Sequence, residues 1–201
     1  MKRMLGFFCA VMLLLGAFVL LPVHGESEIY DSVIRLHVLA NSNREEDQHL
    51  KLLVRDEVLA TTKTLLKDTK TRDEAAAVLR ENLGAIRTVA QHTLQKQGCD
   101  DTVSVSLGQE EYPTREYEQL AFPAGKYLSL RVMIGEAEGA NWWCVLFPPL
   151  CLSAATTKAQ AEEAFLAAGL TEEQYRIITD SNGGKYRLRF KILEVAGKLF
   201  D

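Results

Sequence analysis

Ile34-Arg35-Leu36-His37-Val38-Leu39-Ala40-Asn41-Ser42 alternates apolar and polar residues and then stops at two small polar ones. Ile34, Leu36, Val38 and Ala40 fall on one face of an extended chain, with Arg35 and His37 on the other. That is the period of a half-buried strand. Ser42, three residues before Glu45, has the spacing of a capping box and predicts a helix start. The helix runs to about Leu66, with Leu50, Leu53, Val54, Val58, Thr61 and Leu65 on its inner stripe. Thr71 and Glu74 repeat the capping signature. A second long helix reaches Gln97, where Gly98 is placed to end it.

Strands follow the helices. Val103, Val105 and Leu107 alternate with Ser104 and Ser106, and Leu128, Leu130, Val132 and Ile134 share one face of a strand over Tyr127–Ile134. Between them lies a connection punctuated by Tyr112-Pro113-Thr114-Arg115 and Phe122-Pro123-Ala124-Gly125. Gly135 to Gly139 turns the chain into Asn141-Trp142-Trp143-Cys144-Val145-Leu146-Phe147, apolar on both faces. Two strands this close predict an antiparallel hairpin. Helices are expected over Lys158–Ala168, ending at Gly169, and over Thr171–Ile178. Tyr186 to Phe200 fits a helix better than a strand. The order strand, two helices, three strands, helices reads as α+β. The expected fold is a single domain, mainly an antiparallel sheet of about four strands packed with two long N-terminal helices and C-terminal helices.

Residues 1–25 have the grammar of an export signal: Lys2 and Arg3, an apolar run from Met4 to Leu21, Pro22, then Val23-His24-Gly25 with small residues at the −3 and −1 positions. The run is almost long enough to span a bilayer, so a retained N-terminal anchor is the rival reading. Both place residues 26–201 outside the cytoplasm as the working domain. The chain carries a formal net charge of −4, and without Lys2 and Arg3 the balance is 21 basic against 27 acidic residues. An acidic domain without clustered Lys and Arg argues against nucleic acid and against a polybasic grip on anionic lipid.

No motif for an enzyme stands out. His37, His49 and His92 form no zinc pair, and there is no Cys-x-x-Cys, nucleophile elbow or P-loop. No cofactor or metal is implied. Arg35, Arg55, Asp47 and Asp56 could pair across the layer between strand and helix, as a structural ion pair. Cys144 and Cys151 are a candidate disulfide. Extended, that stretch would span over ~20 Å, against the ~5.5 Å between Cα atoms of a bridge. Pro148-Pro149 is where the chain would reverse, and closing so short a loop contributes roughly 2–3 kcal/mol. Two buried thiols are the other reading. Trp143, Val145 and Phe147 are expected in the core, and Trp142 beside Asn141 is the better candidate for contact.

Three blocks of the sequence resemble the stage II sporulation protein R family. The first is Ile34 to Ser42, with Asp47-Gln48, Lys51 and Val54-Arg55-Asp56 behind it. The second is Tyr112-Pro113-Thr114-Arg115 with Tyr117, Pro123-Ala124-Gly125, Tyr127 and Leu130-Arg131-Val132. The third runs from Gly135 to Cys151, where Asn-Trp-Trp-Cys-Val with Phe-Pro-Pro-Leu-Cys is highly specific. The resemblance implies a protein ligand rather than an enzyme. It implies secretion from the forespore into the space between the two septal membranes. There it would activate a membrane-embedded aspartic protease, which then cleaves the pro-form of the early mother-cell sigma factor. The partner-binding residues expected from motif and exposure are Arg35, His37, Asn41, Arg115, Arg131, Asn141 and Trp142. Two other classes remain for comparison: a thiol enzyme using Cys144 and Cys151, and a cell-wall-binding module stacking sugar on Trp142.

Overall fold

A computed structural model of the chain describes residues 26–117, 120–148 and 158–179. In chain order the elements are α1 (Glu26–Ser32), β1 (Ile34–Leu39), α2 (Glu45–Leu65), α3 (Arg72–Glu81) and α4 (Leu83–Lys96). Then come β2 (Val103–Tyr112), β3 (Arg115–Tyr117), β4 (Leu120–Phe122), β5 (Gly125–Ile134), β6 (Asn141–Phe147), α5 (Lys158–Ala167) and α6 (Glu172–Thr179). The α+β class is as expected. Residues 1–25, Cys151 and the Tyr186–Phe200 segment lie outside the described residues. Among the described residues no helix is long and apolar enough to cross a membrane.

The main sheet has the order β2-β5-β1-β6, and β3 and β4 form a separate two-stranded sheet. β1 pairs parallel with β5 and antiparallel with β6, while β2 pairs antiparallel with β5. The expected β5–β6 hairpin is therefore corrected: β1 lies between the two strands. The reason is local. The turn after β5 bonds outward, with Glu138 N donating to Asn41 O, Gly139 N to Ala40 O and Gly135 N to Thr102 O. Ala137 N donates to Ile134 O within the turn, and the remaining bonds carry it across the end of β1. Two glycines allow this approach. Gly135 has φ +56°, and a Cβ on it would overlap Asn41 Oδ1. One on Gly139 would overlap the Ser42 carbonyl.

A central position also corrects the half-buried reading of β1. Ile34, Leu36 and Val38 are fully buried on one face, and Arg35 and His37 are buried on the other. The first face joins Leu128, Leu130, Val132 and Ile134 of β5 and is covered by helices. α2 contributes Leu50, Val54 and Val58, with Thr62 rather than Thr61 inward. Thr62 tolerates burial because its Oγ1 donates to Val58 O. The single second helix is in fact two. Asn82, with φ −108° and ψ 10°, leaves helical geometry, and its Nδ2 donates to Val78 O. Ala75 and Leu79 of α3, and Ile86, Ala90 and Leu94 of α4, are still buried in the core on this side.

Three of the four punctuation signals hold. Thr71 Oγ1 accepts from Glu74 N while Glu74 Oε2 accepts from Lys70 N. Gly98 and Gly169 follow α4 and α5 with φ +71° and +90°. The fourth, at α2, is corrected. Ser42 Oγ donates to Asp47 at 2.5 Å and does not cap through Glu45.

The other sheet face carries a second core. Ile29, Val33, Tyr112, Phe122, Tyr127 and Val145 meet Phe165 of α5 and Tyr175 and Ile178 of α6. Val145 is buried on this side, whereas Trp143, expected in the core, is only half-buried and packs against its margin. Phe147 is not on this side, although it is buried as expected. The register shifts between Ile34 and Arg35, which pair with Phe147 and Val145, so Leu146 is an extra residue. The bulge turns Phe147 to the helix side. The Phe147–Pro148 peptide is cis.

Candidate functional site

The polar face of β1 organises the site. Residues of one face recur every second position, so Arg35 and His37 point to the same side. His37 is in register with Arg131 of β5 on one flank and Trp143 of β6 on the other, and Arg131 with Ser106 of β2. One row across four strands thus reads Ser106, Arg131, His37, Trp143. Adjacent positions in such a row are ~5 Å apart. The β2/β5 ribbon extends beyond β1 and its far end curls back over this face, as strand twist allows. That curl brings Tyr112 within 6.2 Å of the His37 ring and 6.1 Å of the Trp143 ring.

His37 is 6% exposed. Its Nδ1 lies 2.8 Å from Glu110 Oε1 and its Nε2 2.9 Å from Asn141 Oδ1. A doubly protonated ring donates to both oxygens. A neutral ring donates to one, and the Asn141 amide can turn to serve the other. Arg131 Nε sits 3.4 Å from the same Glu110 oxygen. Burial raises the Glu110 carboxyl, but the hydrogen bond from His37, the nearby Ser129 hydroxyl and the charges of His37 and Arg131 outweigh it. The net position is below the ordinary carboxylate range. Glu110 Oε2 has no partner among the described residues.

Arg35 is fully buried. Its guanidinium carbon lies 4.5 Å from the Tyr112 ring centroid, 5.1 Å from Phe122 and 5.2 Å from Tyr127. Nη2 donates to Tyr117 Oη at 2.8 Å and Nε to Cys144 O at 3.3 Å. The expected pairing of Arg35 with Asp47 or Asp56 is overturned, because α2 covers the opposite sheet face. Ring faces meet the charge instead of an acid. Tyr117 Oη also donates to Trp143 O at 3.4 Å, so Arg35 ties β3 to the main sheet. Two residues back along β3, the Arg115 guanidinium lies 3.7 Å over the Trp143 ring. Burial, the first of several influences, holds the Tyr112 phenol well above its ordinary range. Its hydroxyl is 2.7 Å from Ser129 Oγ.

A second polar knot closes the C-terminal end of β1. Asp47 accepts from Ser42 Oγ, Asn41 Nδ2 and Arg44. The Ser42 hydrogen bond is the main reason its carboxyl stays below the usual range, against the opposing effect of burial. Asn41 Oδ1 accepts from Glu136 N, and Lys51 Nζ donates to Gln48 Oε1 and Ala140 O. Burial, with Arg55 nearby, lowers the Lys51 ammonium. The knot locks the β1–α2 loop onto the β5–β6 turn.

The seven expected contact residues therefore separate. Arg35, His37, Arg115, Arg131 and Asn141 share one sheet face. Asn41 belongs to the turn lock. Trp142 lies on the helix side, half-buried, with the Arg55 guanidinium 5.0 Å from its ring. Arg55 in turn holds Asp56 at 2.7 Å. Glu110, Tyr117 and the Arg115–Trp143 stack escaped the sequence reading. Continuing the β2 alternation from Ser106 through Gly108 to Glu110 would have put Glu110 on the Arg131 side. His49 and His92 are exposed on helices. Cys144 is buried, and its expected bridge to Cys151 falls outside the described residues. Cys99 is a free, half-buried thiol raised by burial. Among the described residues no group of three or more His, Cys, Asp or Glu is arranged to hold a metal ion.

Residues 30–157 match the family model described as Stage II sporulation protein R. The protein of that name from Bacillus subtilis strain 168 is 42% identical over 123 residues, covering 61% of this chain and 55% of the relative. The chain thus spans about half the length of the curated relative it matches. No solved structure matches the chain.

Proposed function

We propose, on the premise that the chain belongs to the stage II sporulation protein R family, that it acts as a secreted protein signal. Membership makes it a stage II sporulation protein. In the finer reading residues 1–25 carry it out of the forespore. The domain then activates a membrane-embedded aspartic protease that cleaves the pro-form of the early mother-cell sigma factor. It works as a ligand, not as an enzyme.

The observation that carries this reading is the shared face. The family match spans every strand of both sheets, and five of seven expected contact residues converge on one surface of the main sheet. Within it the roles differ. Arg131, Arg115 and Asn141 reach the outside and supply contact. Arg35 and His37 hold β3 and Glu110 in place beneath them. Asn41 fixes the turn that presents Asn141. Trp142 offers a second, smaller contact on the α2 side with Arg55.

Complementation tests it. A sporulating strain without its own family member should regain cleavage of the pro-sigma factor when this chain is expressed in the forespore. Unchanged precursor, with the chain present and exported, would sink the proposal.

A further inference from the structure

We infer that Arg115 and Arg131 receive a carboxylate of the partner protein, an Asp or Glu side chain. The inference rests on the ligand reading above and specifies its chemistry. Among the described strand residues, the charged groups on this face are Arg35 and His37 from β1, Glu110 from β2, Arg115 from β3 and Arg131 from β5. Within that set three guanidiniums and an imidazole accompany one carboxylate, on a chain whose overall charge is negative. Glu110 is already engaged through one oxygen by His37 and Arg131.

Both outer arginines are held in place, and among the described residues the Nε of each lacks a hydrogen-bond acceptor. Arg115 lies flat on Trp143, which occupies its face and leaves its N–H edge unused. Its Nε is buried without a hydrogen-bond partner, and so is Arg131 Nε, whose contact with Glu110 is long and poorly aligned. The other Arg131 contact is Nη2 to Met133 Sδ at 3.5 Å, a weak acceptor. The Arg131 side chain is 38% exposed, so its fork is reachable. The Nε groups are shut off from the surface, so a partner group arrives at the outer end of the fork, and the planar, two-oxygen group that fits a guanidinium is a carboxylate. A lipid phosphate presents similar oxygens. An acidic domain is repelled by an anionic membrane surface, which favours a protein source.

The test has two arms, both on the full chain. In detergent solution, the Arg Nε–Hε resonances are followed by NMR during titration with a blocked Gly-Asp-Glu-Gly peptide, its Asn-Gln counterpart, and glycerol 3-phosphate. The Arg115 and Arg131 signals should move with the acidic peptide alone. No movement, equal movement with the amide peptide, or movement with glycerol 3-phosphate alone overturns the inference. In cells co-expressing the protease and its substrate, R115E/R131E should cut processing by roughly tenfold or more at equal chain abundance. An Asp→Lys or Glu→Lys change in an exported segment of the protease should restore it. Wild-type processing by the double variant overturns the carboxylate site. Failure of the wild-type chain to drive processing overturns the ligand reading instead, and the NMR arm still decides the chemistry.

Discussion

The guanidinium of Arg35 stands 4.5 Å from the centre of the Tyr112 ring, fully enclosed, with its Nη2 bonded to Tyr117 Oη. A buried cation without a carboxylate partner is expensive. Here aromatic faces and two acceptors offset part of that cost, Nη1 has no hydrogen-bond partner among the described residues, and β3 is fastened to the main sheet. Arg35→Ala leaves a void among rings and removes both hydrogen bonds. It should destabilise the domain by about 3 kcal/mol. Arg35→Lys should recover less than half, because a point charge cannot reproduce the planar fork. Urea unfolding of both variants is the measurement. An Arg35→Ala loss under about 0.5 kcal/mol would contradict the assigned role.

The glycines of the β5–β6 turn make a sharper case. Gly139→Ala would drive a methyl group into the backbone carbonyl of Ser42, which cannot swing away. Gly135→Ala meets only the Asn41 side chain but must hold φ +56°. The expected losses are about 2–3 kcal/mol for Gly139→Ala and about 1–2 kcal/mol for Gly135→Ala, read as lower urea midpoints at unchanged slope. The reverse order would show that the clash with Ser42 is not what selects glycine.

Asp47 and Glu110 set the response to acid. Both have carboxyls held below their ordinary ranges in the folded state. In the unfolded chain they titrate near 3.9 and 4.3. Below those values the unfolded state binds more protons than the folded one, so stability falls as pH drops through the lowered folded pKa values and is fully present above about pH 5. Asp47→Asn with Glu110→Gln should lower stability at pH 7 and flatten its fall between roughly pH 5 and 2. An acid profile as steep as wild type would refute the assignment.

His37 and Glu110 should couple. A double-mutant cycle on His37→Ala and Glu110→Ala should yield an interaction of about 1 kcal/mol at neutral pH. Strict additivity would mean that the 2.8 Å contact contributes nothing in solution.

Much of this was readable from residue patterns. The β1 alternation, both helix-ending glycines, the Thr71 box and the Leu128–Ile134 face are local signals, and local rules decide them. What escaped depends on distant partners. Nothing near Gly135–Gly139 distinguishes a hairpin turn from a bridge over β1, because the deciding acceptors, Ala40 and Asn41, lie some hundred residues earlier. Arg35 looked like half of an ion pair because alternation gives a face but not what covers it. Its cover comes from β3, β4 and the curled end of β2. Glu110 was one acid among 27 until the strand register brought it to His37.

The most direct test of the central claim is reconstitution in a host that does not sporulate. The full chain, the membrane-embedded protease and the pro-sigma substrate are co-expressed, with and without residues 1–25 on the chain, and substrate cleavage is read by immunoblot. Cleavage that requires both the chain and its export segment is the predicted result. Cleavage that proceeds without the chain, or none when all three are present and the chain is exported, would contradict it.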